Sequence, residues 1–154
     1  MYLYASLEEQ PLRLTRYTDY AMRVLIHLGT KGEGLASIAE IARAYGISQS
    51  HLMKVVQDLA AAGFVETVRG RSGGLRLGRR PEEINLGALV RHTEEDFALV
   101  DCSVCQIASA CTLPRVLAEA VRAFLAVLDR HTVADLLEHR DGLRRLLLPA
   151  AQDR

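Results

Sequence analysis

No apolar run in this 154-residue chain is long enough to cross a bilayer, which takes about 20 residues. The first eleven residues carry Glu8 and Glu9 and no lysine or arginine, so the positive start of a signal peptide is missing. Internal repeats are missing as well. There is no Ser/His/Asp grouping and no pair of carboxylates placed for acid–base work, so the chain reads as a non-enzyme. Net charge is also missing, because 19 Lys and Arg balance 19 Asp and Glu. What remains is a cytoplasmic protein with no membrane partner. Its hydrophobic content of 49% fills one core, so one domain with an appendage is expected. Cysteine is absent everywhere except between residues 102 and 111.

The zero net charge hides a segregation. Residues 12–80 hold 11 Lys and Arg against 5 Asp and Glu, a difference of +6, whereas residues 81–154 hold 8 against 12, a difference of −4. A basic first half is the footprint of a nucleic-acid-binding module.

Cys102, Cys105 and Cys111 are spaced C-x2-C-x5-C. Structural cysteines are usually scattered through a core as small hydrophobes. Three within ten residues can converge on one centre, and an odd number in a reducing compartment disfavours a disulfide framework. Small and polar residues between the sulfurs read as a loop, and Pro114 suits the first turn of a following helix. A thiolate-lined loop mounted on a helix is a candidate metal site that needs a fourth ligand from elsewhere. Tetrahedral zinc in a DNA-binding protein with no sensing role is one occupant; an iron–sulfur centre is the other. A brown or a colourless anaerobic preparation separates them. Cys102 and Cys105 as a redox pair would need a βαβ setting, which the pattern lacks.

Helical periodicity starts at about Thr18 and runs to Thr30, apolar on most sides. Ser37 and Glu40 form a capping-box pattern ahead of a short helix from Ile38 to about Ala44. Gly46 supplies a sharp turn. Ser48 caps a third helix to about Ala62, whose Leu52, Val55, Val56 and Leu59 follow i, i+3, i+4, i+7. Its opposite face carries Ser50, Lys54, Gln57 and Asp58, with His51 and Met53 at the margins. Two helices joined by a short glycine turn make a helix-turn-helix. A β-prone stretch, Phe64 to Val68, then meets the turn Arg69–Gly74 and returns through Leu75, Arg76 and Leu77. The expected fold is therefore mostly α with a small β-hairpin wing: a winged helix-turn-helix plus a long C-terminal dimerisation helix.

The expected organisation is an N-terminal extension over residues 1–12 and a winged-helix DNA-binding domain over 13–80. A connecting helix (about Leu86 to Thr93) and cysteine loop occupy 81–111. The dimerisation helix (Leu113 to Arg130) and a last helix capped by Thr132 and Asp135 occupy 112–140, and a frayed tail covers 141–154. The long helix carries two apolar stripes. Leu117, Val121, Phe124, Leu125 and Leu128 form one; Val116, Ala120, Ala123 and Val127 form the other. One stripe packs on its own domain and the other on a second subunit. His27, on the buried first helix, reads as a core residue.

A helix of this size fits the major groove of double-stranded DNA. Ser48, Ser50 and Lys54 suit phosphate contacts, while Gln49 and His51 can reach base edges. Arg69, Arg71 and Arg76 of the wing can follow phosphates or enter the minor groove. Gly73 and Gly74 allow close approach of the backbone.

Four segments together resemble the Rrf-two family of bacterial winged-helix iron–sulfur regulators. They are residues 14–21 (LTRYTDYA), residues 46–52 (GISQSHL), the wing at 68–77 (VRGRSGGLRL) and the cysteine loop. Within that family, Cys111-Thr112-Leu113 and residues 131–136 (HTVADL) are most similar to the nitric-oxide-sensing repressors. The resemblance covers about residues 13–148. It implies a homodimeric repressor that binds an operator and releases it when nitric oxide nitrosylates an iron–sulfur cluster. It further implies Cys102, Cys105 and Cys111 as cluster ligands, with Asp19 of the partner subunit as the fourth. A [4Fe-4S] cluster is favoured over [2Fe-2S], although the gap of two residues between the first cysteines is shorter than the family's usual one. A histidine ligand found in cluster-biogenesis regulators of the family falls at Pro114, which cannot ligate. Iron- or redox-responsive members of the family are the alternative.

Overall fold

The computed structural model describes residues 12–148. Over these residues the chain forms seven α-helices and one antiparallel two-stranded hairpin, the mostly α winged helix-turn-helix that was expected. The N-terminal extension lies outside the described residues except for Leu12.

Helix α1 (Arg16–Lys31) begins where Thr15 caps it, its hydroxyl accepting from the Thr18 N–H. Ala21, Val24, Leu25 and Leu28 are fully buried. Helix α2 (Ile38–Tyr45) is opened by Ser37, whose hydroxyl accepts from the Glu40 N–H at 3.0 Å. The other half of the expected capping box does not form. The Glu40 carboxylate turns to Lys31 Nζ at 2.9 Å and to the buried His27 Nε2 at 3.1 Å. An ammonium and a buried imidazole bind a carboxylate more strongly than one solvent-accessible backbone N–H does. His27 is a core residue, as expected, with its ring edge-on to Tyr45.

This ion pair carries a prediction. Partial burial pushes the Glu40 carboxyl up, but the hydrogen bonds and charges of Lys31 and His27 outweigh it and hold the group below its ordinary value. A carboxyl depressed in the folded state contributes stability above its unfolded pKa and loses it as the pH falls through the folded one. Glu40→Gln is expected to cost about 1 kcal/mol of unfolding free energy at neutral pH. The gap to wild type should close below pH of about 4. Urea melts across that range check it, and a gap that stays constant would remove the ion pair from the account.

Gly46, at φ +64°, makes the left-handed turn into α3 (Gln49–Ala61). Leu52, Val55, Val56 and Leu59 point inward from α3, as its periodicity requires. Strands β1 (Val65–Val68) and β2 (Gly74–Leu77) pair antiparallel, with Val65 opposite Leu77 and Val68 opposite Gly74. Ala36 and Leu75 exchange both backbone hydrogen bonds, at 3.0 and 2.8 Å, which ties the wing to the segment before α2.

A short 3-10 turn (Pro81–Glu83) leads to α4 (Leu86–Thr93), which has the expected bounds. Helix α5 (Leu113–Leu128) starts with Pro114 in its first turn and stops two residues short of the expected end. Thr132 and Asp135 form the expected capping box ahead of α6 (Val133–Leu136). One expectation fails beyond it. Residues 140–147, assigned mostly to a frayed tail, form α7 (Arg140–Leu147), which packs on α1. Arg140 Nε donates to the Thr30 carbonyl at 3.4 Å, and Leu143 and Leu147 are partly buried. Residues 149–154 of that tail lie outside the described residues.

The core is assembled from α1, α2, α3, the wing, Ile84, α4 and Val133. Helix α5 stands largely outside it: Leu125 alone of its sixteen residues is buried. No helix among the described residues is long and apolar enough to cross a membrane.

Candidate DNA interface and cysteine loop

The face of α3 turned away from the core is solvent-exposed at Gln49, Ser50, His51, Met53, Lys54 and Gln57. Four of these, with the exposed Ser48, are the residues expected to meet DNA. Ser48 has a second duty as the N-cap, accepting from the His51 N–H at 3.3 Å with the Ser50 hydroxyl 3.2 Å away. Arg69 and Arg71 project from the exposed wing tip.

Three of the wing residues expected at the DNA also make contacts within the protein. Arg76 is not a free cation. Directly across the hairpin Glu66 accepts from its Nε at 2.8 Å, raising the guanidinium further and holding the Glu66 carboxyl below its ordinary value. The wing's glycines sit against the protein's own backbone. A Cβ on Gly73 would collide with the Val68 carbonyl oxygen, and one on Gly74 would meet the Ala36 carbonyl oxygen at 2.9 Å. Gly73 is thus packed on the hairpin's own backbone and Gly74 on the segment before α2.

Asp58 departs from the polar face on which the sequence placed it. Its Oδ2 accepts from the Tyr17 hydroxyl at 2.8 Å and lies 2.9 Å from His92 Nε2. Burial, reinforced by Asp58, pushes the Tyr17 phenol up to about 12, so it stays protonated as a donor. Glu94, the residue that ends α4, accepts from the Thr15 N–H at 2.8 Å and the Thr15 hydroxyl at 2.9 Å, and lies 2.5 Å from the Thr18 hydroxyl. The sequence gives no local sign of this network, since its partners lie 34 to 79 positions apart.

The cysteines lie on the segment between α4 and α5. Arg91 grips Asp129 with both guanidinium nitrogens, at 2.5 and 2.8 Å, so the two helices that carry the loop are fastened together. The loop runs through successive tight turns, with Cys105 N–H donating to the Cys102 carbonyl at 3.3 Å and Cys111 N–H to the Ile107 carbonyl at 2.9 Å. All three cysteines are free thiols; Cys105 is exposed and the other two are partly covered. Val104 and Ile107 between them are exposed apolar side chains. The donor chemistry fits an iron–sulfur centre: three soft sulfurs that serve no core and form no disulfide. The chain alone does not gather them, and among the described residues no three Cys, His, Asp or Glu side chains come together as a metal-holding group. Ligation energy is what draws such a set together.

Asp19 sits in the first turn of α1, half-exposed, with Arg23 Nε 3.0 Å from Oδ1 and the guanidinium lying over the Tyr45 ring. It is thus on the surface of the DNA-binding domain, where another chain can reach it.

A winged helix with an outward polar recognition face, a basic tip and a three-cysteine loop defines a class of transcriptional regulator. The chain belongs to the Rrf2 family, described as iron-dependent transcriptional regulators, whose profile matches residues 14–139. Among its relatives are HTH-type transcriptional regulators NsrR. Those of Bacillus licheniformis and Bacillus subtilis are each 49% identical over 142 residues, spanning 88% of this chain and 99% and 97% of theirs. Among solved structures, the cysteine regulator CymR of B. subtilis is similar at 30% identity and a TM-score of 0.65, covering 84% of this chain and 98% of its own. IscR of T. potens is similar at 30% identity and a TM-score of 0.65, covering 92% of this chain and 94% of its own.

Proposed function

We propose that this chain is a cytoplasmic, homodimeric transcriptional repressor that releases its operator when nitric oxide reaches an iron–sulfur cluster on the cysteine loop. The observation that carries the reading is the outward face of α3. Gln49, Ser50, His51 and Lys54 are exposed on a helix whose other side is fully committed to the core, next to a wing tip bearing Arg69 and Arg71. Cys102, Cys105 and Cys111 would hold the cluster, with Asp19 of the partner subunit as the fourth ligand. A bound cluster would supply iron able to take up nitric oxide, and the Asp19 carboxylate, a hard oxygen donor beside three soft thiolates, would be the ligand most readily given up. This chain's residues do the rest. Arg23 holds the Asp19 carboxylate at the head of α1, and Arg91 with Asp129 keeps the loop's two supports together.

Repression is tested by titrating anaerobic holoprotein with nitric oxide while following operator binding and cluster absorbance together. Release in step with bleaching is expected; binding that persists through full bleaching refutes the switch.

The contacts also fix a salt dependence. Lys54, Arg69 and Arg71 give three free cations per subunit and six per dimer. With a slope of about 0.9 per neutralised phosphate, affinity should fall by about three decades between about 50 and 200 mM salt. Fluorescence anisotropy across that range checks it, and a slope near zero would remove the phosphate contacts. Half-sites should lie about one DNA turn, or a multiple of it, apart.

A further inference from the structure

We infer that Asp58 is the positioning residue through which the state of the cysteine loop reaches the recognition helix. The inference rests on the proposed function and assigns the route of its regulation. Among the described residues, Asp58 is the one side chain of α3 hydrogen-bonded to another helix. It sits in the last turns of α3, and its single oxygen Oδ2 serves both Tyr17, in the first turn of α1, and His92, the next-to-last residue of α4. Two residues further on, Glu94 begins the segment that carries the cysteines and fastens it to Thr15 and Thr18. The turn of α1 that bears Asp19 and the turn of α4 that launches the loop therefore hold α3 by one shared carboxylate.

Directional bonds matter here because apolar packing does not supply direction. Leu52, Val55, Val56 and Leu59 keep α3 on the core but tolerate small rotations and slides. A carboxylate held from two sides at 2.8 and 2.9 Å does not. The centroid of the His92 ring also lies 5.7 Å from that of Phe64, three residues past the end of α3, so a shift of α4 is felt at both points. Asp58 shares its groove with Glu94, Glu95 and Asp96. Movement of that acidic segment changes the repulsion on Asp58 as well as the geometry of its partners. A rearranged loop would thus let go of, or re-aim, the helix that reads the operator.

The test uses full-length protein and a duplex selected from a random pool by wild-type holoprotein. Affinity is measured for cluster-loaded and cluster-free forms of wild type, Asp58→Asn, His92→Ala and His92→Gln. Cluster absorbance, thermal unfolding and amide exchange along α3 are measured beside it. Asp58→Asn and His92→Ala are expected to fold and load normally, to exchange faster in α3, and to lose at least tenfold of the ratio between the two affinities. His92→Gln keeps an N–H donor and should recover most of that ratio. An unchanged ratio, or equal loss of affinity in both forms, would overturn the inference, the second by showing a merely structural role. A wild-type protein whose two forms bind alike would overturn the proposed function along with it. His92→Ala, at a residue about one-third exposed, keeps the test open if Asp58→Asn fails to fold.

Discussion

Replacing Cys102, Cys105 and Cys111 together with serine is expected to give a folded, colourless protein whose operator affinity is at least a hundredfold lower. None of the three sulfurs belongs to the core, and the nearest core helix, α4, ends at Thr93 before the loop begins. Surface substitutions away from packed groups usually change stability by no more than about 0.5 kcal/mol. The urea midpoint of the cluster-free wild type should therefore be unchanged. The affinity should not be: moving a two-state equilibrium from almost fully bound to almost fully released takes about 5.5 kcal/mol of differential interaction, which ligation by three thiolates can supply. Visible absorbance, unfolding and anisotropy on the same sample separate the outcomes. A zinc-stabilised protein would be colourless before substitution and would lose stability on it. An iron-free triple variant that still binds tightly and still responds to nitric oxide would sink the sensing reading.

The second large effect is expected at α5. Leu113, Val116, Phe124 and Val127 are exposed there, and they form a stripe that the protein's own core does not use. Leu117, Val121, Leu125 and Leu128 face inward instead. Phe124→Glu with Val127→Glu should leave the winged helix folded and halve the mass in light scattering. A single recognition helix loses the effective concentration that a second, linked one provides, which is worth about two to four decades of affinity. A variant that remains dimeric would place the subunit contact elsewhere.

Much of this architecture could be read from spacing. Leu52, Val55, Val56 and Leu59 define α3 because a helix with one buried side must repeat that way, and Thr132 with Asp135 announces α6 by a motif four residues long. Both depend on neighbours in the chain. What escaped depends on neighbours in space. The Ser37–Glu40 motif is locally complete, yet Glu40 prefers partners 9 and 13 positions back on α1. Asp58 has the right phase for the DNA face of α3, and its partners are 34 and 41 positions away. Helix α7 has no side-chain cap at His139 and holds its shape against α1, so nothing local marks its start. Phe124 sits at the boundary between two stripes and falls on the outer one, because α5 touches its own domain along a narrow line. The cysteine loop was the most legible part of the candidate site in composition and the least in geometry, since thiols carry no attraction for each other that spacing could reveal.

The loop that carries the sulfurs hangs between α4 and α5, and no residue of the packed interior comes from it. If the loop holds the proposed cluster, synthesis of the polypeptide and delivery of that cluster could therefore happen in either order. On the proposed function, a molecule that lost its cluster to nitric oxide would keep its tertiary structure and could be reloaded in place, so recovery after exposure would draw on cofactor supply and need not await translation.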